Sequence, residues 1–171
     1  KVLKPQFAGD QTVVERFKRE ASTAAKLRHP NIIKIYAVGR EKDAVYFVMD
    51  YLPSGLANRL ETTQSLPEDY VLRVGVDVAR ALGFAHREGV IHRDIKVDNI
   101  LFDVHGNAVV ADFGIARAVT GYANQTGTNM VVGTPQYFAP EQARAKPLDG
   151  RADIYSLGVS LYRAATGRLP F

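Results

Sequence analysis

The 171 residues contain no cysteine and no tryptophan. Without thiols the chain can form neither a disulfide framework nor a thiolate metal site, a usage that fits a reducing, cytoplasmic setting. No apolar run approaches the roughly 20 residues that cross a bilayer as a helix. No leader-like stretch, internal repeat or low-complexity tract is visible either. Neither sign of charge dominates: 22 Lys and Arg stand against 18 Asp and Glu, for a net charge of +4. With no basic block and no basic patch interleaved with aromatics, nucleic acid is not the expected partner. What is left, 46% hydrophobic and 23% charged residues, is the make-up of an ordinary globular chain long enough to bury a sizeable core.

One stretch carries chemistry. His92-Arg93-Asp94-Ile95-Lys96-Val97-Asp98-Asn99 is followed by Asp112-Phe113-Gly114, and further on by Ala139-Pro140-Glu141. Phosphoryl transfer asks a protein for positioning and charge rather than covalent chemistry: a carboxylate for the attacking hydroxyl and oxygen ligands for magnesium. Asp94 can orient the hydroxyl and accept its proton, Lys96 can neutralise charge on the moving phosphoryl group, and Asn99 with Asp112 can hold the metal. Asp-Phe-Gly alone is ordinary turn chemistry. The three motifs in this order are a far more specific signal.

Periodicity supplies the context. Val71, Val74, Val78, Leu82 and Ala85 recur at three- and four-residue steps, which predicts a long amphipathic helix over 67–86 leading into the motif. Residues 99–103 and 107–111 read as two short strands joined by Val104-His105-Gly106, a hairpin that would bring Asn99 close to Asp112. Between 11 and 28, Val13, Phe17, Ala24 and Leu27 form one helical stripe, and Glu20 falls on it. A carboxylate on the packed side needs a partner; a surface pair with Arg16 at i,i+4 is the alternative. Strands are expected at 32–38 and 44–49.

The motifs resemble those of eukaryotic-type (Hanks-type) protein serine/threonine kinases, and the phrasing of Gly114-Ile115-Ala116-Arg117 and Pro140-Glu141-Gln142-Ala143 looks most like bacterial members. The resemblance implies an α+β, two-lobed fold, truncated at both ends: a partial small lobe over 1–49, a hinge over 50–55 and a partial large lobe over 56–171. It implies ATP and Mg2+ as cofactors. Lys1 would grip the nucleotide phosphates and pair with Glu20. Met49 would line the pocket behind the adenine ring, and the backbone of Asp50, Tyr51 and Leu52 would bond it. Lys96 and Thr134 resemble the serine/threonine-specific branch, in which the Thr hydroxyl bridges Asp94 and Lys96. His92, Phe113, Gly114, Glu141 and Asp153 would be structural, with Asp153 tying its helix to the backbone around His92 and Arg93. Residues 115–132 resemble an activation loop, in which phosphorylated Thr126 or Thr128 would pair with Arg93. Protein substrates with Ser or Thr are the implied partners, with self-association for autophosphorylation. Two other readings stand beside this one: a catalytically inactive scaffold with a kinase fold, and a small-molecule phosphotransferase.

Overall fold

The computed structural model describes residues 1–3, 5–42, 44–113 and 134–171. After a single turn, α1 (Pro5–Ala8), the chain enters α2 (Gln11–Ala24), whose start is set by Asp10. Its Oδ1 accepts the backbone N–H groups of Thr12 and Val13 at 2.8 and 3.2 Å, satisfying donors that the first helical turn leaves open. The helix buries Val13, Val14, Phe17, Ala21 and Ala24. It ends at Ala24 rather than near 28. Lys26 and Leu27 bond instead to the carbonyls three residues back, since Pro30 disfavours helical backbone at His29.

That buried face rests on a sheet. β1 (Ile35–Glu41) and β2 (Ala44–Met49) pair antiparallel, and residues 1–3 run along the free edge of β2 through Phe47 N–H to Lys1 O (2.9 Å) and Leu3 N–H to Val45 O (2.8 Å). Phe17 of α2 meets Phe47 of β2 at 5.5 Å between ring centroids, an aromatic contact at the centre of this layer. The strand expected from 32 starts later. Ile32 forms a parallel bridge with Val110, and the N–H of Ile33 bonds the Val110 carbonyl at 2.9 Å. The backbone edge of these residues is taken up by a distant strand that would otherwise leave its own edge open.

The rest is mainly helical. Of the residues 50–55 expected as a hinge, the last two form β3 (Ser54–Gly55), which joins a three-stranded sheet with β4 (Ile100–Phe102) and β5 (Ala108–Val110). α3 (Leu56–Thr63) follows, then α4 (Glu68–Arg87), which buries Val71, Val74, Val78, Ala81, Leu82 and Ala85 along the stripe anticipated from the sequence. The β4–β5 hairpin closes through Asp103, whose Oδ1 accepts the N–H groups of His105 and Asn107, both at 2.9 Å; Gly106 takes the left-handed backbone (φ 82°) this turn requires. A one-turn helix, α5 (Pro140–Ala143), precedes α6 (Arg151–Thr166). α6 packs antiparallel to α4, with Gly75 against Leu161 at one end and Gly150 against His86 at the other.

Candidate active site

Asp153, at the first turn of α6, is wholly buried. Its two oxygens accept the N–H of His92 at 2.8 Å and of Arg93 at 2.7 Å, and His86, from the last turn of α4, meets Oδ2 through Nε2 at 2.7 Å. A buried carboxylate is tolerable only when so compensated. The His92 ring donates from Nε2 to the Ala111 carbonyl at 2.8 Å and accepts the Asp94 N–H on Nδ1 at 3.2 Å. It also lies edge-on to Phe113, with ring centroids 4.6 Å apart. These contacts require the ring proton on Nε2. Arg93 and Asp112 both hold left-handed backbone, φ 69° and 65°, each at a cost on the order of 1–3 kcal/mol that the surrounding bonds must offset.

On this frame the polar groups converge. Asp94 Oδ2 receives Lys96 Nζ at 3.2 Å and Asn99 Nδ2 at 3.1 Å, and the same Nδ2 donates to the Asp94 carbonyl at 2.7 Å. Lys96 Nζ also donates to Thr134 Oγ1 at 3.2 Å. The bridge between Asp94 and Thr134 is therefore the Lys96 ammonium and not the Thr hydroxyl, because three N–H donors can serve two oxygens at once. The hairpin delivers Asp112 as expected, through a bond from the Ala111 N–H to the Asn99 carbonyl at 2.9 Å.

The Lys1 ammonium forms its ion pair with Asp112 Oδ2 and not with Glu20. Glu20 is half-buried at the border of the α2 stripe, whose centre is filled by Ala21. There it lines a cavity of about 430 Å³ with Arg19, Thr23, Val90, Arg93 and Phe113. Asp112 Oδ1 is buried and accepts no hydrogen bond from the described residues. Met49 and Leu52 pack with Ile33, Leu101, Val109 and Ala111 in a small apolar cluster, and Met49 also touches the main core. Beside it Asp50 accepts the Tyr36 hydroxyl at 2.5 Å and gives its own N–H to the Lys34 carbonyl at 3.1 Å, while Tyr51 is 87% exposed. That phenolic bond raises the Tyr36 pKa above its ordinary value. Glu141 is half-buried beside Lys146, Asp149, Arg151 and Tyr155, and makes no ion pair with the described residues. Gly114, Thr126 and Thr128 lie outside the described residues.

The description "Protein kinase domain" matches residues 1–171. The chain belongs to the protein kinase domain family. Among curated relatives, the serine/threonine-protein kinase PrkC of Bacillus subtilis is 41% identical over 172 residues, covering all of this chain and 26% of that protein. The serine/threonine-protein kinase PknB of Mycobacterium leprae is 40% identical over 176 residues, covering all of this chain and 28% of its own length. The chain thus spans about a quarter of the curated kinases it matches. The crystal structure of the Mycobacterium tuberculosis PknI kinase domain superposes with a TM-score of 0.79 at 31% identity, over all of this chain and 64% of that one. Both the fold and the family agree with the resemblance drawn from the motifs.

Two residues that touch this frame were given no role by the sequence. His86 shows only as a histidine in the last turn of α4, and nothing in the spacing ties it to Asp153. Gln142 of α5 donates from Nε2 to the Arg93 carbonyl at 2.8 Å, across 49 residues of sequence.

Proposed function

We infer that the protein containing this chain is an ATP-dependent, magnesium-dependent kinase that phosphorylates Ser and Thr hydroxyls of proteins. The carrying observation is the arrangement around Asp94: Oδ2 is taken by Lys96 and Asn99, and Lys96 reaches Thr134. Asp94 Oδ1 is left to accept the proton of a substrate hydroxyl as its oxygen bonds to the γ-phosphorus and the bond to the departing ADP oxygen breaks. Lys96 stabilises negative charge on the transferred group, and Thr134 holds Lys96 in place. The donor set suits a hard cation. Asp112 offers a buried oxygen without a partner among the described residues, and both hydrogen bonds of the Asn99 side chain are donated by Nδ2, so its Oδ1 remains for a metal. A magnesium ion held there would neutralise phosphate charge.

Lys1, beside Asp112, would bind the phosphates and exchange its partner for Glu20 in the active arrangement. The apolar cluster of Met49, Leu52 and Leu101 would cover the adenine ring. The Asp50 N–H is already committed to Lys34, so the Asp50 carbonyl and the backbone of Tyr51 and Leu52 are the groups left to bond it. Among the described residues no helix is long and apolar enough to cross a membrane, and the kinase reading puts this part of the protein in the cytosol with its ATP. Phosphate on Thr126 or Thr128, read by Arg93, would switch activity; mass spectrometry after incubation with magnesium-ATP should find it on one of the two.

The deciding experiment is Asp94→Asn in the intact protein. Radiolabel transfer should fall by at least about a hundredfold, the scale of a lost general base, with ATP binding nearly intact, whereas Asp112→Ala should weaken magnesium-dependent nucleotide binding itself. Comparable transfer by Asp94→Asn would end the proposed role.

A further inference from the structure

We propose that Gln142 is a positioning residue for Asp94, acting through the peptide bond between Arg93 and Asp94; the argument rests on the kinase reading above. The carbonyl of that peptide accepts Gln142 Nε2 at 2.8 Å, and its N–H donates to His92 Nδ1 at 3.2 Å. The plane of the peptide is therefore held at both ends by side chains. Its orientation matters because it sets the direction in which the Asp94 side chain leaves the backbone. It also needs holding: this peptide can turn through two soft torsions, ψ of Arg93 and φ of Asp94, without any change in the left-handed φ of 69° at Arg93. Asp153 fixes the N–H of Arg93 at 2.7 Å. That bond cannot prevent rotation on the carbonyl side. The bond from Gln142 can.

A purely structural reading of Gln142 meets an obstacle in the amide itself. While Nε2 is engaged, Oε1 is buried and accepts no hydrogen bond from the described residues, which is a destabilising state for an amide oxygen. An apolar side chain of the same length would avoid it. The residue is thus poorly chosen for stability and well chosen for the Arg93 carbonyl. Its position adds a second consequence. Residues 134–142 touch the catalytic loop on both sides of Asp94, through Thr134 to Lys96 and through Gln142 to Arg93, so a peptide platform built from this segment and the base at Asp94 are placed as one unit.

The test is Gln142→Met in the intact protein, a substitution that keeps length and volume and removes both polar atoms. Amide hydrogen exchange across 92–99 should be faster by at least about threefold, a local opening that needs no turnover to be seen. kcat should fall by at least about threefold with KM for ATP within about twofold, the signature of an interaction needed for the chemical step rather than for nucleotide binding. Tm should change little, because removal of the unsatisfied Oε1 offsets the loss of the donor to the Arg93 carbonyl. Unchanged exchange overturns the proposal whether or not the protein is active, which separates its failure from failure of the kinase reading. Retained kcat, or a fall in kcat accompanied by a lower Tm, overturns it as well.

Discussion

The backbone from His92 to Asp94 is held by Asp153 of α6, Gln142 of α5 and the His92 ring, through bonds of 2.7–3.2 Å. Lys1 reaches the same site through a single ion pair whose side chains are 38% and 24% exposed. The first region is overdetermined: two strained or buried features, the Arg93 backbone and the Asp153 carboxylate, compensate each other. In the second, one long side chain meets one carboxylate partly in water, where solvent screens the attraction and side-chain entropy opposes it. The difference assigns the two parts different work. Asp94, proposed to activate the hydroxyl, stands on a rigid mount, and Lys1, proposed to grip phosphate, sits on an exchangeable contact.

The largest expected effect breaks the rigid side. Asp153→Ala strands the N–H groups of His92 and Arg93 and the ring of His86 at once, so urea unfolding should show a loss of about 3–5 kcal/mol; a loss under about 1 kcal/mol would mean that the loop is held by something else. Gly150→Ala removes one arm only. A Cβ there would lie 2.5–2.9 Å from three His86 ring atoms, so the imidazole must leave Asp153, with an expected cost of about 1–3 kcal/mol and a shift in the His86 ring resonances by NMR. Resonances that stay in place would show that the pocket yields elsewhere. The smallest effect belongs to the other side. Lys1→Met should change unfolding free energy by less than about 1 kcal/mol, while weakening ATP binding measured by titration calorimetry. A stability loss as large as that of Asp153→Ala would erase the contrast.

How far the sequence reveals this arrangement depends on whether its signals are local. The catalytic loop, the hairpin and α4 were legible because spacing within a few residues carries them: Asn99 follows Asp94 by five, and Asp103 and Gly106 mark their own turn. Asp153 came from the family resemblance alone, which implied the tie to the backbone of His92 and Arg93 that its carboxylate makes. Glu20 was harder. Helical periodicity locates a face to within a residue or so, and Ala21 in fact occupies the centre of the stripe while Glu20 lies at its rim. Lys1 met Asp112 instead of Glu20 because an ion pair is decided by where two ends of the chain come to rest, which no local pattern records. His86 and Gln142 were invisible for the same reason, since their partners lie 67 and 49 residues away. The shift of β1 from 32 to Ile35 likewise depends on a strand 77 residues on from Asn31, whose Nδ2 bonds Ala108 O at 2.8 Å.

That last contact has a mechanical side. Residues 31–33 stitch the N-terminal layer to β5 through Val110 N–H to Asn31 O at 2.8 Å and Ile33 N–H to Val110 O at 2.9 Å, two residues before Asp112. A fulcrum so close to Asp112 gives this carboxylate almost no lever arm. Tilting α2 and its sheet about the seam would swing Lys1 and Glu20 through an arc while Asp112 stays almost stationary, so the gap between the layers could widen without dragging Asp112, the proposed metal ligand, away from Asn99.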